Sequence, residues 1–444
     1  MRQFPAVPVA VGLFVVALGV SRPTGAQDFV LGGQGCPMAH CDVRMSDLAN
    51  LPAPGANVGV VWRREADRGS LSGLGCSSNG TVVACTLIGT GGDNLVVYDY
   101  DGNRLWGSGS VLNETTPTSA PIVAVDGSVI VADDLHVVRF DPQGTVVWNT
   151  PTPGGNPISP VLTDNGHVVL ASFAGPISAY DLATGALVGA LPIRKFGLFG
   201  PTFSTTNTPC VRGNRVYVLV EKDGANLSNE GRLVAVDVSA SGLRLAWQVG
   251  YGARSATSPL AIGDTIYFVG DRPAGGFGMK EPTVIAVRDL GNQGEVVWTR
   301  PVQPPLSVLA AMAQDPRGGM WFFPAGDENL IRLDAGDGHE IERIGVDALV
   351  GEPAFHVPGS AITIAGTAAN PVLLVSAKSF RGTSYVLAVD LAARTLLWKA
   401  LVSAQSALNH GSTSGQFPVM TRNGSPRVVY STYDLGVFAV GENP

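Results

Sequence analysis

Ser119-Ala120-Pro121-Ile122-Val123-Ala124-Val125-Asp126-Gly127-Ser128-Val129-Ile130-Val131, followed by His136-Val137-Val138-Arg139-Phe140-Asp141-Pro142-Gln143-Gly144-Thr145-Val146-Val147-Trp148, decides the fold of this chain. It reads as an apolar strand, an Asp-Gly turn, a second apolar strand, a third strand ending at Asp, and a last strand ending in Trp. Closely similar stretches recur along the sequence. A four-stranded unit of about forty residues cannot bury both faces alone, but it can when stacked radially against copies of itself.

Tryptophan measures the repeat. Trp62, Trp106, Trp148, Trp247, Trp298 and Trp398 each close an apolar strand. Near neighbours lie about 42 to 51 residues apart, the length of a propeller blade. The two wide gaps hold degenerate copies, one ending at Leu187-Val188-Gly189 and one near Ile341, while Trp321 falls inside a strand. The termini complement each other. Val58-Gly59-Val60-Val61-Trp62 is an outer strand with no three before it, and the unit from Gly415 to Val440 supplies three strands without a fourth. If the N-terminal strand (about 57–63) completes the C-terminal blade, the ring closes and an open sheet edge disappears. The sequence thus predicts an all-β, eight-bladed β-propeller of four-stranded antiparallel blades.

The bulk composition agrees. Fifty-six glycines, 31 prolines and only 15% charged residues suit many short strands joined by turns. Residues 1–26 read as a secretory signal peptide: Arg2, an apolar run over 7–20, then Thr24-Gly25-Ala26. That run is short of the roughly 20 residues a bilayer span needs, so no transmembrane segment is expected. The expected domains are the signal peptide, an N-terminal arm (27–56) and the propeller (57–444). The net charge of -7 argues against nucleic acid and anionic lipid as partners.

Export permits disulfides. Cys36 and Cys41 form the densest cysteine cluster and are expected to staple the arm, with Cys76 and Cys85 as further candidates. Cys210 replaces an apolar strand residue and is expected to be a buried thiol. Met38, His40 and Met45 beside the first pair suggest a soft-metal site less well than a staple, because four residues separate the cysteines and Asp42 follows the second.

In a propeller, first-to-second and third-to-fourth strand connections share one face, and here they are tight: Asp126-Gly127, Asn165-Gly166, Gly213-Asn214, Gly263-Asp264. The opposite face receives the long connections 192–208, 221–231, 270–282, 345–359, 378–384 and 402–413. Binding residues concentrate on loops carried by a rigid scaffold. The candidates are therefore Arg194, Lys195, Phe196 and Phe199, which place cations beside large apolar groups, and Arg272, Lys280, Arg381 and His410. Asp334-Ala335-Gly336-Asp337-Gly338-His339-Glu340 resembles an acidic Ca2+ loop, but its register puts it at a strand-joining turn, which Asp and Gly explain without a metal. The six histidines show no ligand spacing, and no nucleophile elbow, zinc helix or phosphate loop occurs.

The unit resembles the pyrroloquinoline-quinone-type propeller repeat, which ends Ala-x-Asp-x-x-Thr-Gly-x-x-x-Trp. Ala179, Asp181, Thr184 and Gly185 match it, as do Ala388, Asp390 and Trp398. The resemblance implies that each Trp docks between blades. It also implies two functional branches. Quinoprotein dehydrogenases hold the quinone and Ca2+ in the central channel, usually beneath a disulfide of adjacent cysteines, and this chain has no Cys-Cys pair. Exported propellers similar to the outer-membrane assembly factor BamB bind partner proteins through loops. The expectation is an exported, non-catalytic, protein-binding propeller of the periplasm or extracellular space, associated with the envelope and needing no cofactor. The alternatives are a quinone- and Ca2+-dependent alcohol or sugar dehydrogenase, and a propeller binding polysaccharide or a small ligand.

Overall fold

The quoted stretch folds as one blade. Its strands Ile122–Val123, Val129–Ala132, His136–Phe140 and Val146–Pro151 pair in sequence order, all antiparallel. Gly127 takes φ 91° in the first turn, and the Asp126 carboxylate accepts from Ser128 N–H and Oγ–H. The two middle strands are almost wholly buried, whereas the last is largely exposed apart from Trp148, as the outer wall of a stacked sheet.

The structure is a computed structural model and describes residues 29–65, 75–88, 93–193, 203–205, 207–222, 230–252, 255, 257–273, 280–302, 310–357, 360–404 and 413–442. Blades 1 to 7 occupy 76–107, 122–151, 161–191, 203–252, 260–301, 310–345 and 354–403. Blade 8 takes its inner strands from 413–442 and its outer strand from Val58–Arg64, which pairs antiparallel with Val437–Glu442 from Val58↔Glu442 to Arg64↔Val437. The expected closure is present, one residue later than predicted at each end. The architecture is an eight-bladed propeller.

Tryptophan holds neighbouring blades together by one repeated device. In every blade the ladder between third and fourth strands slips by one residue at the docking position. Such a bulge re-aims the side chain it precedes. The indole N–H of Trp62, Trp106, Trp148 and Trp298 donates to the carbonyl of Tyr100, Pro142, Leu182 and Ala335, at 3.0–3.2 Å. Each acceptor follows the turn Asp of the next blade. The indole ring then covers a turn glycine: a Cβ built on Gly102, Gly144, Gly185 or Gly338 would stand 2.6–2.7 Å from the ring, and all four have φ between +73° and +83°. The Thr-Gly of the repeat therefore supplies both left-handed backbone and a flat seat. Trp398 donates to Pro54 O at 2.9 Å, so the segment entering the N-terminal strand acts as the turn of blade 8.

Two junctions lack the tryptophan, and both replace its hydrogen bond from elsewhere in the repeat. Between blades 3 and 4, Gly189 takes the docking position with Leu243 beside it, and Asn165 Nδ2 donates to Val238 O at 2.9 Å. Between blades 6 and 7, Glu342 takes the position, and Arg317 Nη1 donates to Leu391 O at 2.8 Å. Glu342 is an ion-pair partner of Arg394 (2.9 Å) and of Arg332 (3.4 Å). Arg394, at φ 60°, stands where the other blades carry glycine. A charged pair thus substitutes for ring-on-glycine packing.

The arm is not a free tail. Carbonyls of Cys36, Pro37, Val43, Arg44, Ser46, Asp47 and Gly35 accept from Ser78, Val123, Val211, Ala261, Gln314, Ile364 and Val419 N–H, at 2.6–2.9 Å. Those donors lie in or beside the innermost strands of seven blades, next to their tight turns. Met38 and Met45 are buried in the hydrophobic core that runs through blades 2 to 5. The arm therefore stoppers the channel at its tight-turn end. The expected disulfide Cys36–Cys41 cross-links it. Cys76–Cys85 joins directly opposed residues of two paired strands in blade 1, and Cys210 is a buried thiol.

Candidate binding face and channel

Blades 4, 5 and 7 extend their middle strands toward the long-loop face. In blade 5 these are Thr265–Pro273 and Lys280–Asp289, against four and five residues in blade 2. Much of the expected loop 270–282 is in fact ladder, with pairing continuing from Gly270↔Thr283 to Pro273↔Lys280. The reason is simple: an antiparallel hairpin satisfies its facing backbone groups within its own ladder as it rises from the ring. Similarly, Lys378 and Ser384, the ends of the expected loop 378–384, pair with each other.

Arg194, Lys195, Phe196, Phe199 and His410, with the side chain of Lys280, lie outside the described residues. The remaining candidates, Arg272 and Arg381, are both exposed on this face, but on different blades, 5 and 7. Arg272 donates to Thr299 Oγ1 at 3.1 Å. Arg381 is 85% exposed, with Glu352 3.9 Å away.

Arg381 has neighbours that sequence reasoning missed. Phe380, 65% exposed, packs at a tilt against Phe355 with ring centroids 5.0 Å apart. Its backbone N–H donates to Pro353 O, tying the turn of one connection to the strand entry of another. Glu352 also accepts from Tyr385 O–H, and the Lys399 ammonium lies over the Tyr385 ring at 5.2 Å. Two cations, one carboxylate and three aromatic rings thus meet at the blade 7 rim. The signal was the Phe380-Arg381 dipeptide at a hairpin tip. Leu135 and Phe173, 56% and 46% exposed, stand on the same face of blades 2 and 3.

The channel stopper carries ionisable groups. His40 Nδ1 and Asp47 Oδ2 are 2.8 Å apart. Burial opposes the His40 cation, yet the Asp47 charge and hydrogen bond hold the imidazole above its ordinary value. Burial pushes Asp47 up to about 6, against the pull of His40. Asp42 accepts from Arg44 and Ser46 backbone and side chains. Both carboxylates are therefore engaged inside the arm.

Among the described residues, only Asp334, Asp337 and His339 combine as a potential three-ligand group. They form the blade 6 turn: Asp334 accepts from Gly336 N–H, Asp337 accepts from His339 N–H, and Gly338 seats Trp298. This is the expected structural turn, on the tight-turn face and away from the channel.

Radial blades, a bulge-aimed Trp over Gly and a strand-closed ring define a pyrroloquinoline-quinone-type propeller. The family model described as outer membrane protein assembly factor BamB matches residues 55–300, and the chain belongs to that family. Among curated proteins, none matches. Solved structures share the fold at low identity. Quinohemoprotein alcohol dehydrogenase from Comamonas testosteroni is 13% identical with a TM-score of 0.59, over 91% of this chain and 80% of that one. A europium-containing methanol dehydrogenase is 12% identical with a TM-score of 0.55, over 91% and 98%. BamB from Moraxella catarrhalis is 11% identical with a TM-score of 0.47, over 87% and 98%.

Proposed function

We propose that this chain is an exported, non-catalytic propeller that docks a protein partner of the cell envelope on its long-loop face. The observation that carries the reading is the blade 7 rim, where Phe380 is two-thirds exposed on a second phenylalanine and flanked by Arg381. An exposed aromatic beside arginine is the composition of interface centres, and water is a poor permanent neighbour for it. Membership of the BamB-described family and two disulfides support export and a binding role. The stoppered channel supports the same reading, since one end of the bore is filled by the chain itself.

A photo-crosslinking residue placed at Phe380, and at Leu105 on the outer wall of blade 1 as control, tests this in the producing cell. A discrete adduct at 380 in the envelope fraction, weakened by Arg381→Glu and absent at 105, is expected. Equal adducts at both positions, or none at 380, overturn the reading.

A further inference from the structure

A second feature of the long-loop side lies between blades 4 and 5. Where the outer strand Gly242–Gly252 of blade 4 ends, a pocket of about 310 Å3 opens against the side of blade 5. That is the lower end of the size range of small-molecule sites. Tyr251 forms one wall, with its ring edge-on to Phe268 at 5.0 Å. The glycines on either side of it shape the opening. A Cβ on Gly252 would meet Asp271 O at 1.9 Å, so only glycine lets the two blades close here, and Gly250 adds no side chain to the space. Ile285 and Val296 supply apolar surface on the opposite wall.

The polar groups of the lining are all donors or hydroxyls. Arg272 uses Nη1 on Thr299 Oγ1, and the rest of its fork has no carboxylate partner among the described residues. This sets it apart from Arg215, Arg300, Arg343 and Arg422, each ion-paired. Glu281 stands opposite Arg272 in register, and Asp271 is buried next to it; neither lines the pocket. Burial, reinforced by Glu221 and Asp271, raises the Tyr251 phenol well above its ordinary value, so it stays protonated. Among the described lining residues, one cation, two hydroxyls and hydrocarbon walls, with no acid, match one negative charge on an apolar body. A dianion such as phosphate would call for a second cation.

We infer that the Tyr251–Arg272–Thr299 pocket binds a small organic carboxylate, with its carboxyl group on Arg272 and its apolar body against Tyr251, Ile285 and Val296. This goes beyond the protein-docking reading and stands apart from it, because the blade 7 rim contributes no residue.

Ligand-observed 19F NMR of 4-fluorobenzoate with the full chain tests it. Broadening at millimolar probe is expected, reversed by benzoate or hexanoate but not by benzamide or benzylamine. Arg272→Gln should weaken binding about tenfold or more, and Thr299→Val by less. Arg272 is exposed, so the variant should fold, and Val296→Trp gives a second route by filling the pocket. No broadening with the wild-type chain, equal competition by benzamide, or unchanged binding in Arg272→Gln overturns the inference.

Discussion

Replacing Gly185 by alanine tests the blade-docking device at its narrowest point. Gly185 has φ +73°, and a Cβ there would stand 2.6 Å from Trp148 Cδ2. Two penalties combine. Left-handed backbone costs a non-glycine residue about 1–2 kcal/mol. Forcing a methyl into a filled contact costs about 1–3 kcal/mol more. Gly185→Ala should therefore destabilise by about 2–5 kcal/mol. Trp148→Ala alone should cost about 3–5 kcal/mol, through lost packing and the indole bond to Leu182 O. In the double variant the steric part vanishes, because the ring is gone, and only the backbone part remains. The coupling energy should thus be about 1–3 kcal/mol, favouring the double variant over additivity. Urea unfolding followed by far-ultraviolet circular dichroism on all four proteins measures it. A Gly185→Ala cost below about 0.5 kcal/mol, or an unchanged cost in the Trp148→Ala background, would refute the ring-on-glycine account.

Two further outcomes follow from buried charge. Glu342→Ala removes the buried carboxylate shared by Arg332 and Arg394, but Arg332 keeps Asp315 at 3.0 Å and Arg394 is 65% exposed, so the cost should be about 1–2 kcal/mol, against little for Glu295→Ala on the exposed outer strand of blade 5; urea midpoints compare the two. His356 is buried against Phe323, and burial lowers its pKa from 6.5 to about 4. The folded state favours neutral imidazole, so this group's contribution is complete above pH 6.5 and is lost as pH falls toward 4, by up to about 3 kcal/mol. Asp47, raised by burial, acts in the opposite direction over part of that window. The difference in melting temperature between wild type and His356→Phe should therefore move in favour of the variant on acidification, and a difference that stays constant from pH 7 to pH 4 would contradict it.

The ring and its closure were legible because both rest on local pattern. Trp spacing counts blades directly, and an orphan strand at one end beside a three-stranded unit at the other has one economical solution. The missing tryptophans were legible as gaps, but not what fills them. Asn165 and Arg317 sit in first-to-second strand turns, a different part of the repeat from the residue they replace, so alignment to the repeat conceals the exchange. The arm was read as a stapled tail because its hydrogen bonds go to seven distant strands and leave no periodic trace in residues 29–51. On the binding face, Arg272 and Arg381 stood out as loop cations. Their partners did not: Tyr251 reaches Arg272 only through the stacking of blades 4 and 5, Thr299 meets it from the next strand but one of the same blade, and Phe355 meets Phe380 across two connections.

The stopper has a consequence for how the molecule comes to exist. Its seat is assembled from strands that begin at Cys76 and end at Arg422, and the strand that follows it waits for Val437–Glu442. The arm, synthesised ahead of every blade, is thus the last to find its place, and premature closure with fewer blades would leave it without a socket. The N-terminal arm works as a gauge of completion, fitting only a wheel in which the seven spokes that grip it stand in place.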